Sequence, residues 1–318
     1  MSNPTSPHSH LKPEVIEVLD YTPKERKAYI QRGFWAPYPA ATGIIEKLET
    51  LLQHPHQGRV PGMSIVAHTN NGKSSTIEQF IASNPPDDAD EWEGLHRPIV
   101  HVTAPKDCDL KRLFEKILQA MGVAINRGER EPLLRSLVFH HLERNDARML
   151  VIDEFHNALA GSATKQPSYL NQIKEFCVDL YLPVVVAGNE KLPLLLRHVE
   201  ELSNRLEPEV LPRWSPNPDL QKLLKGIEER LPFPERSRLS SLAMAEYFYE
   251  RSGGLAGGAL LGEMMRLIRL AACEAIDANE PNITLARLDS VKRPPPEDRW
   301  MVAQAALAPV APTRQPTA

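Results

Sequence analysis

The chain is poor in cysteine. Cys108, Cys177 and Cys273 stand far apart in 318 residues, and no CxxC pair occurs. This excludes a zinc knuckle and a disulfide framework, and it points to a reducing, cytoplasmic setting. Long apolar runs are also missing. No stretch reaches the roughly 18 uninterrupted apolar residues of a membrane helix, so no membrane partner is expected. The opening MSNPTSPHSHLKP lacks the apolar centre of a signal peptide. Neither charge dominates: 37 Lys and Arg face 41 Asp and Glu, a net charge of -4. A histone-like polycation is excluded, but a local basic surface is not. Eleven histidines, His140-His141 among them, show no metal-ligand spacing.

What the chain has in abundance is proline, 29 residues, many of them in the first 40 positions, around 183–234, and after 293. They punctuate helices rather than fill them. Between them, short apolar runs alternate with amphipathic stripes. MSIVA (63–67), PIVHVTA (98–104), MLVID (149–153) and LPVVVAG (182–188) read as strands, and EVLPRW (209–214) as one more. Residues 41–53, Leu110 to Met121 and Leu170 to Leu180 carry apolar residues at helical spacing. Continuous apolar strands separated by such helices predict a parallel sheet covered on both faces. After Pro218 the pattern is helical only, with stripes at 219–230, 239–251 and 258–277. The expected organisation is a disordered tail (1–12), a wrapping segment and helix (13–60), an α/β domain (61–216), a small helical domain (217–291) and a flexible Pro/Ala-rich tail (292–318).

The strongest chemical signal is Ala67-His68-Thr69-Asn70-Asn71-Gly72-Lys73-Ser74. It follows a strand and opens a helix, the context a phosphate-binding loop requires. Backbone N–H groups of residues 68–75, through Ser75, would hold phosphate oxygens at the positive end of that helix. Gly72 permits close approach, Lys73 brings charge to the β- and γ-phosphates, and the Ser74 hydroxyl can ligate Mg²⁺. Alanine stands at the first position in place of glycine. The second signal is Met149–Glu154, an apolar strand ending in two carboxylates. In P-loop ATPases the first holds Mg²⁺ and the second polarises the attacking water, here Asp153 and Glu154. Asn189, at the tip of LPVVVAG, is the candidate to contact the γ-phosphate or the attacking water. Arg205 in LSNRL is the candidate to reach a neighbouring subunit's nucleotide. His156 is read as packing or hydrogen-bonding beside the acidic pair. The stripe around Leu260–Ile268 is read as core, and Lys106, Lys111, Arg112 and Lys116 as a solvated helix face.

HTNNGKS after an apolar strand, VIDEFHN, and LPVVVAGNEKL together resemble the TniB-type transposition ATPases, AAA+ proteins related to TnsC and more distantly to MuB. GFWAPYPAATGIIEKLETLLQHP, SNRLEPEVLPRW and SGGLAGGALLGEMMRLIRLAA also fit, so the resemblance covers roughly residues 13–290. It implies an AAA+ P-loop ATPase fold: a parallel sheet sandwiched by helices, followed by a small C-terminal helical lid domain. It implies ATP and Mg²⁺ as ligands, with Lys73 and Ser74 as the Walker A pair and Asp153 and Glu154 as Walker B. Asn189 becomes the first sensor and Arg205 the arginine finger. It further implies a homo-oligomer, ring or helical filament, on duplex DNA without sequence preference, which recruits or activates a DDE transposase and works with a target-selector protein. Two departures stand out. Asn204 replaces the serine before the finger arginine, and no arginine occupies the first turn of the helix after GGLAGG, with Arg266 and Arg269 farther along. The same motifs also suit an AAA+ helicase loader or signalling ATPase, or a nucleotide-bound adaptor without useful turnover. Glu154 argues against the adaptor.

Overall fold

A computed structural model describes residues 8–55, 57–86, 98–126, 128–253, 257–292, 298, 299, 301 and 304. The chain forms two compact units, one of residues 37–212 and one of residues up to 36 together with those from 213 onward. The segment 13–60 expected as one piece is therefore shared between them. Residues 1–7 and most of 293–318, both expected as tails, lie outside the described residues. Residues 8–12 are structured: Leu11 is buried and the Leu11 N–H donates to the His8 carbonyl.

The first unit is a five-stranded, all-parallel sheet of β1 (Gly62–Ala67), β2 (Ile99–Thr103), β3 (Met149–Asp153), β4 (Val184–Gly188) and β5 (Leu206–Leu211), in the order β2-β3-β4-β1-β5. Its apolar runs follow from burial on two faces. Side chains alternate sides along a strand, and register puts Val100, Leu150 and Val184 in one row and Val102, Ile152 and Val186 in the next. These rows share a core with Leu113, Phe114, Ile117, Leu134, Val138, Phe155, Tyr169 and Phe176 of the covering helices. The alternate residues, Met149, Val151 and Val185, are equally buried on the other side. At the start of β1 a side chain is excluded: a Cβ on Gly62 would lie 2.5 Å from the Val184 carbonyl oxygen and 2.7 Å from Leu206.

Prolines trim the expected strands. Pro98 and Pro183 cannot donate to the ladder, yet each carbonyl accepts, Pro98 from the Met149 N–H and Pro183 from the Leu150 N–H, both at 3.0 Å. β5 begins three residues earlier than EVLPRW suggests and ends before Pro212. Trp214 instead pairs with Ala259 in an isolated antiparallel bridge within the other unit. One helix the sequence reading leaves out, Glu131–Arg144, buries only Leu134, Val138 and Leu142.

The second unit is helical: Pro23–Arg32, Pro218–Glu228, Leu242–Arg251, Leu261–Asp277 and Leu285–Ser290. The N-terminal helix starts on a Thr22–Glu25 capping box and is built into this unit. Arg26 lies over the Phe233 ring at 5.7 Å, and the Arg269 guanidinium fills the space beside Gly33, where a Cβ would meet it at 2.7 Å. Met264, Leu267 and Ile268 are buried, as core. Among the described residues, no helix is long and apolar enough to cross a membrane.

Candidate functional site

Because all five strands run parallel, their carboxyl ends share one edge of the sheet. Ligand sites in open α/β sheets lie beyond that edge. β4 sits between β1 and β3, so the tip of β4 is flanked by the loop after β1 and the carboxylates after β3.

The loop is made by backbone geometry. Asn70 adopts φ 64° and Gly72 φ 87°, both left-handed, which turns the chain sharply into the helix Lys73–Ser83. The Asn71 side chain is buried and pins this turn: its Nδ2 donates to the carbonyls of Leu211 at 3.1 Å and Pro212 at 2.8 Å. The sequence reading assigned Asn71 only as a backbone donor, and its side chain is an anchor to the end of β5. Thr69, Asn70, Ser74 and Ser75 are exposed, and His68 Nδ1 lies 3.5 Å from a Glu190 carboxylate oxygen. The Gly72 carbonyl accepts from Thr76 Oγ1 at 2.9 Å, which secures the first helical turn.

From this helix Lys73 reaches past β4 to β3. Its ammonium pairs with Asp153 Oδ1 and donates to Glu154 Oε1 at 2.8 Å. Ser74 Oγ donates to Asp153 Oδ2 at 2.7 Å, and the Glu154 N–H to Asp153 Oδ1 at 2.6 Å. The Lys73 and Asp153 side chains are each only 7% exposed. Burial alone would push the Asp153 carboxyl up, but the Lys73 ammonium, the Ser74 hydroxyl and the Glu154 N–H outweigh it and hold the group below its usual range. An ionised carboxylate beside a serine hydroxyl is a donor set that suits a hard divalent cation. No group of three or more His, Cys, Asp or Glu side chains that could hold a metal occurs among the described residues. Mg²⁺ here would thus take its remaining oxygens from phosphate and water, as it commonly does.

Glu154 itself is left-handed, φ 54° and ψ 33°, a conformation that costs a non-glycine residue about 1 kcal/mol or more. It turns the chain into a short 3₁₀ helix, Phe155–Ala160, fixed by the buried Phe155 ring against Tyr169, centroids 5.7 Å apart. Asn189 uses its Oδ1 to accept from the Lys191 N–H at 3.0 Å, so it also caps the following turn. Arg205 is not gathered into this site. Its carbonyl accepts from the Gly62 N–H at 2.9 Å at the opposite end of β1, about 20 Å from the loop, and its guanidinium donates to the Val60 carbonyl at 3.4 Å.

The profile of the bacterial TniB protein matches residues 26–216, three-fifths of the chain. The chain belongs to the TniB family. No curated protein matches the sequence of this TniB-family chain. Among solved structures, it is similar to the ORC2 protein of Aeropyrum pernix in ADPNP-ADP complexes, with 16% identity, 82% of this chain and 69% of that one covered, and a TM-score of 0.59. It is similar to Cdc6p of Pyrobaculum aerophilum (12% identity, 78% and 66% covered, TM-score 0.54). It also resembles the ORC1 protein of Aeropyrum pernix in complex with DNA (17% identity, 90% and 68% covered, TM-score 0.53). The TniB chain spans about two thirds of each of these. The fold is that of the AAA+ P-loop ATPases, the architecture that the resemblance implies.

Proposed function

We propose that this TniB-family chain is an ATP-driven switch that assembles on duplex DNA and there recruits or activates a DDE transposase, with a target-selector protein as a further partner. One observation carries the nucleotide reading. Lys73 and Ser74 converge with Asp153 and Glu154, 79 to 81 residues on, within hydrogen-bond reach beside a left-handed loop at the carboxyl edge of the sheet. ATP is the substrate. Phosphate oxygens lie against the N–H groups of residues 68–75 and draw Lys73 away from the two carboxylates. Bound Mg²⁺ supplies charge neutralisation to the phosphates, held on this chain by Ser74 and Asp153. Glu154, released by Lys73, takes the proton of the attacking water. With Asn189 Oδ1 committed to its turn, contact with the γ-phosphate falls to Nδ2. The remoteness of Arg205 from its own loop supports a role in a neighbour's site, where a cation stabilises transition-state charge.

The DNA part rests on the family resemblance and on the fold shared with a DNA-bound relative. With a net charge of -4 the contact must be local, through phosphates, so it weakens steeply as salt rises. The reading is tested with Arg205→Ala in a phosphate-release assay. The variant is expected to bind ATP like the parent yet to lose DNA-stimulated release by about 10³-fold. Parental release by this variant would contradict a site shared between copies.

A further inference from the structure

The His156 imidazole uses both nitrogens at the site. Its Nδ1 accepts from the Asn189 N–H at 3.3 Å, and its Nε2 faces Glu154 Oε2 at 3.5 Å. An acceptor at Nδ1 puts the ring proton of the neutral imidazole on Nε2, so the ring offers Glu154 an N–H. Three local features aim the ring. The left-handed Glu154 turns the chain back toward β4, the buried Phe155 fixes the turn, and Gly188 leaves room, since a Cβ there would come within 3.3 Å of Nδ1. The His156 side chain is 17% exposed, against 41% for Glu154. The two oxygens of Glu154 are thus divided: Oε1 accepts from Lys73 and Oε2 faces the imidazole.

We propose that His156 is a positioning residue that sets the orientation of the Glu154 carboxylate and ties it to the tip of β4. This rests on the hydrolysis reading above. When phosphate takes Lys73, Oε1 is freed for water, while Oε2 stays aligned by the imidazole. The ring itself is braced by the backbone of Asn189, so a shift of the β4 tip is passed to the carboxylate.

Two near-isosteric variants separate this role from simple packing. Glutamine carries an N–H donor where Nε2 stands but loses the acceptor at Nδ1, and asparagine carries an acceptor where Nδ1 stands but cannot reach Glu154. In steady-state ATPase assays of the full chain with DNA, His156→Ala and His156→Asn are expected to lower kcat about 10- to 100-fold. KM and ATP affinity stay at parental values, since only water activation is affected. His156→Gln, which keeps the donor toward Glu154 but not the acceptor for the Asn189 N–H, is expected to have a kcat between those of the parent and the alanine variant. Thermal unfolding of all three confirms that folded protein is compared. An alanine variant at parental kcat overturns the proposal, as does a glutamine variant as slow as alanine, or a loss of kcat matched by a loss of ATP affinity. A parent that binds ATP with Mg²⁺ but never turns it over removes the hydrolysis reading itself, a result seen before any variant is made.

Discussion

Lys73→Met is expected to abolish ATP binding and to cost the nucleotide-free protein about 3 kcal/mol of stability. The lysine has two roles. On the reading proposed above its ammonium is the charge meant for the phosphates, and in the structure it neutralises Asp153 in a buried pair. Removing one partner of such a pair strands the other charge out of water, which costs far more than the intact pair contributes. The pH dependence carries a sign. In the parent, Asp153 is held below its unfolded value of about 4, so its contribution is present above pH 4 and fades as pH falls through the lowered folded value. In the variant, burial dominates and the folded value moves above the unfolded one. The deficit is therefore expected to be largest near neutrality and to narrow toward pH 4. Adding Asp153→Asn removes the stranded charge and should restore most of the lost stability without restoring ATP binding. Denaturant titrations across pH measure the first effect, and fluorescent-nucleotide titration the second. A Lys73→Met variant with parental stability and affinity would overturn both assignments.

Glu154→Gln is expected to bind ATP like the parent, to slow hydrolysis by about 10²- to 10⁴-fold, and to stay on DNA. The amide keeps size and polarity but cannot accept the proton of the attacking water. Glu154 contributes one of the two carboxylates that face Lys73, and it is much the more exposed, 41% against 7% for Asp153. Its replacement therefore strands no buried charge, and the fold should be unaffected. If hydrolysis loosens the contact between copies, the variant accumulates in the ATP-bound assembly. Dissociation from labelled duplex after addition of competitor DNA reads this directly. Release as fast as the parent's would show that hydrolysis is not the step that frees DNA.

Much of this site was legible because its chemistry is local. The loop Ala67–Ser74 and the MLVIDE strand each declare themselves in a few consecutive residues, and the spacing of strands and helices then predicts a parallel sheet that brings them together. What was not legible depends on tertiary placement. The helix Glu131–Arg144 buries Leu134, Val138 and Leu142, yet Leu133 is exposed and Leu137 and Phe139 are only partly covered, so its apolar stripe is blurred. The Asn71 anchor depends on β5 ending beside the loop, 140 residues away. The aim of His156 follows from a left-handed Glu154 and from the placement of Gly188 beside the imidazole, and a one-dimensional pattern records neither the backbone conformation nor that proximity. The N-terminal helix looked like a wrapper because its partners, Phe233 and Arg269, lie more than 200 residues on.

The central claim is that nucleotide at the Lys73 loop decides whether copies of this chain gather on duplex DNA. Electron microscopy of the purified chain with duplex DNA, with and without a non-hydrolysable ATP analogue and Mg²⁺, tests it most directly. The account predicts rings or filaments along DNA with the analogue and bare DNA without it. Equal decoration in both samples, or none in either, would contradict it.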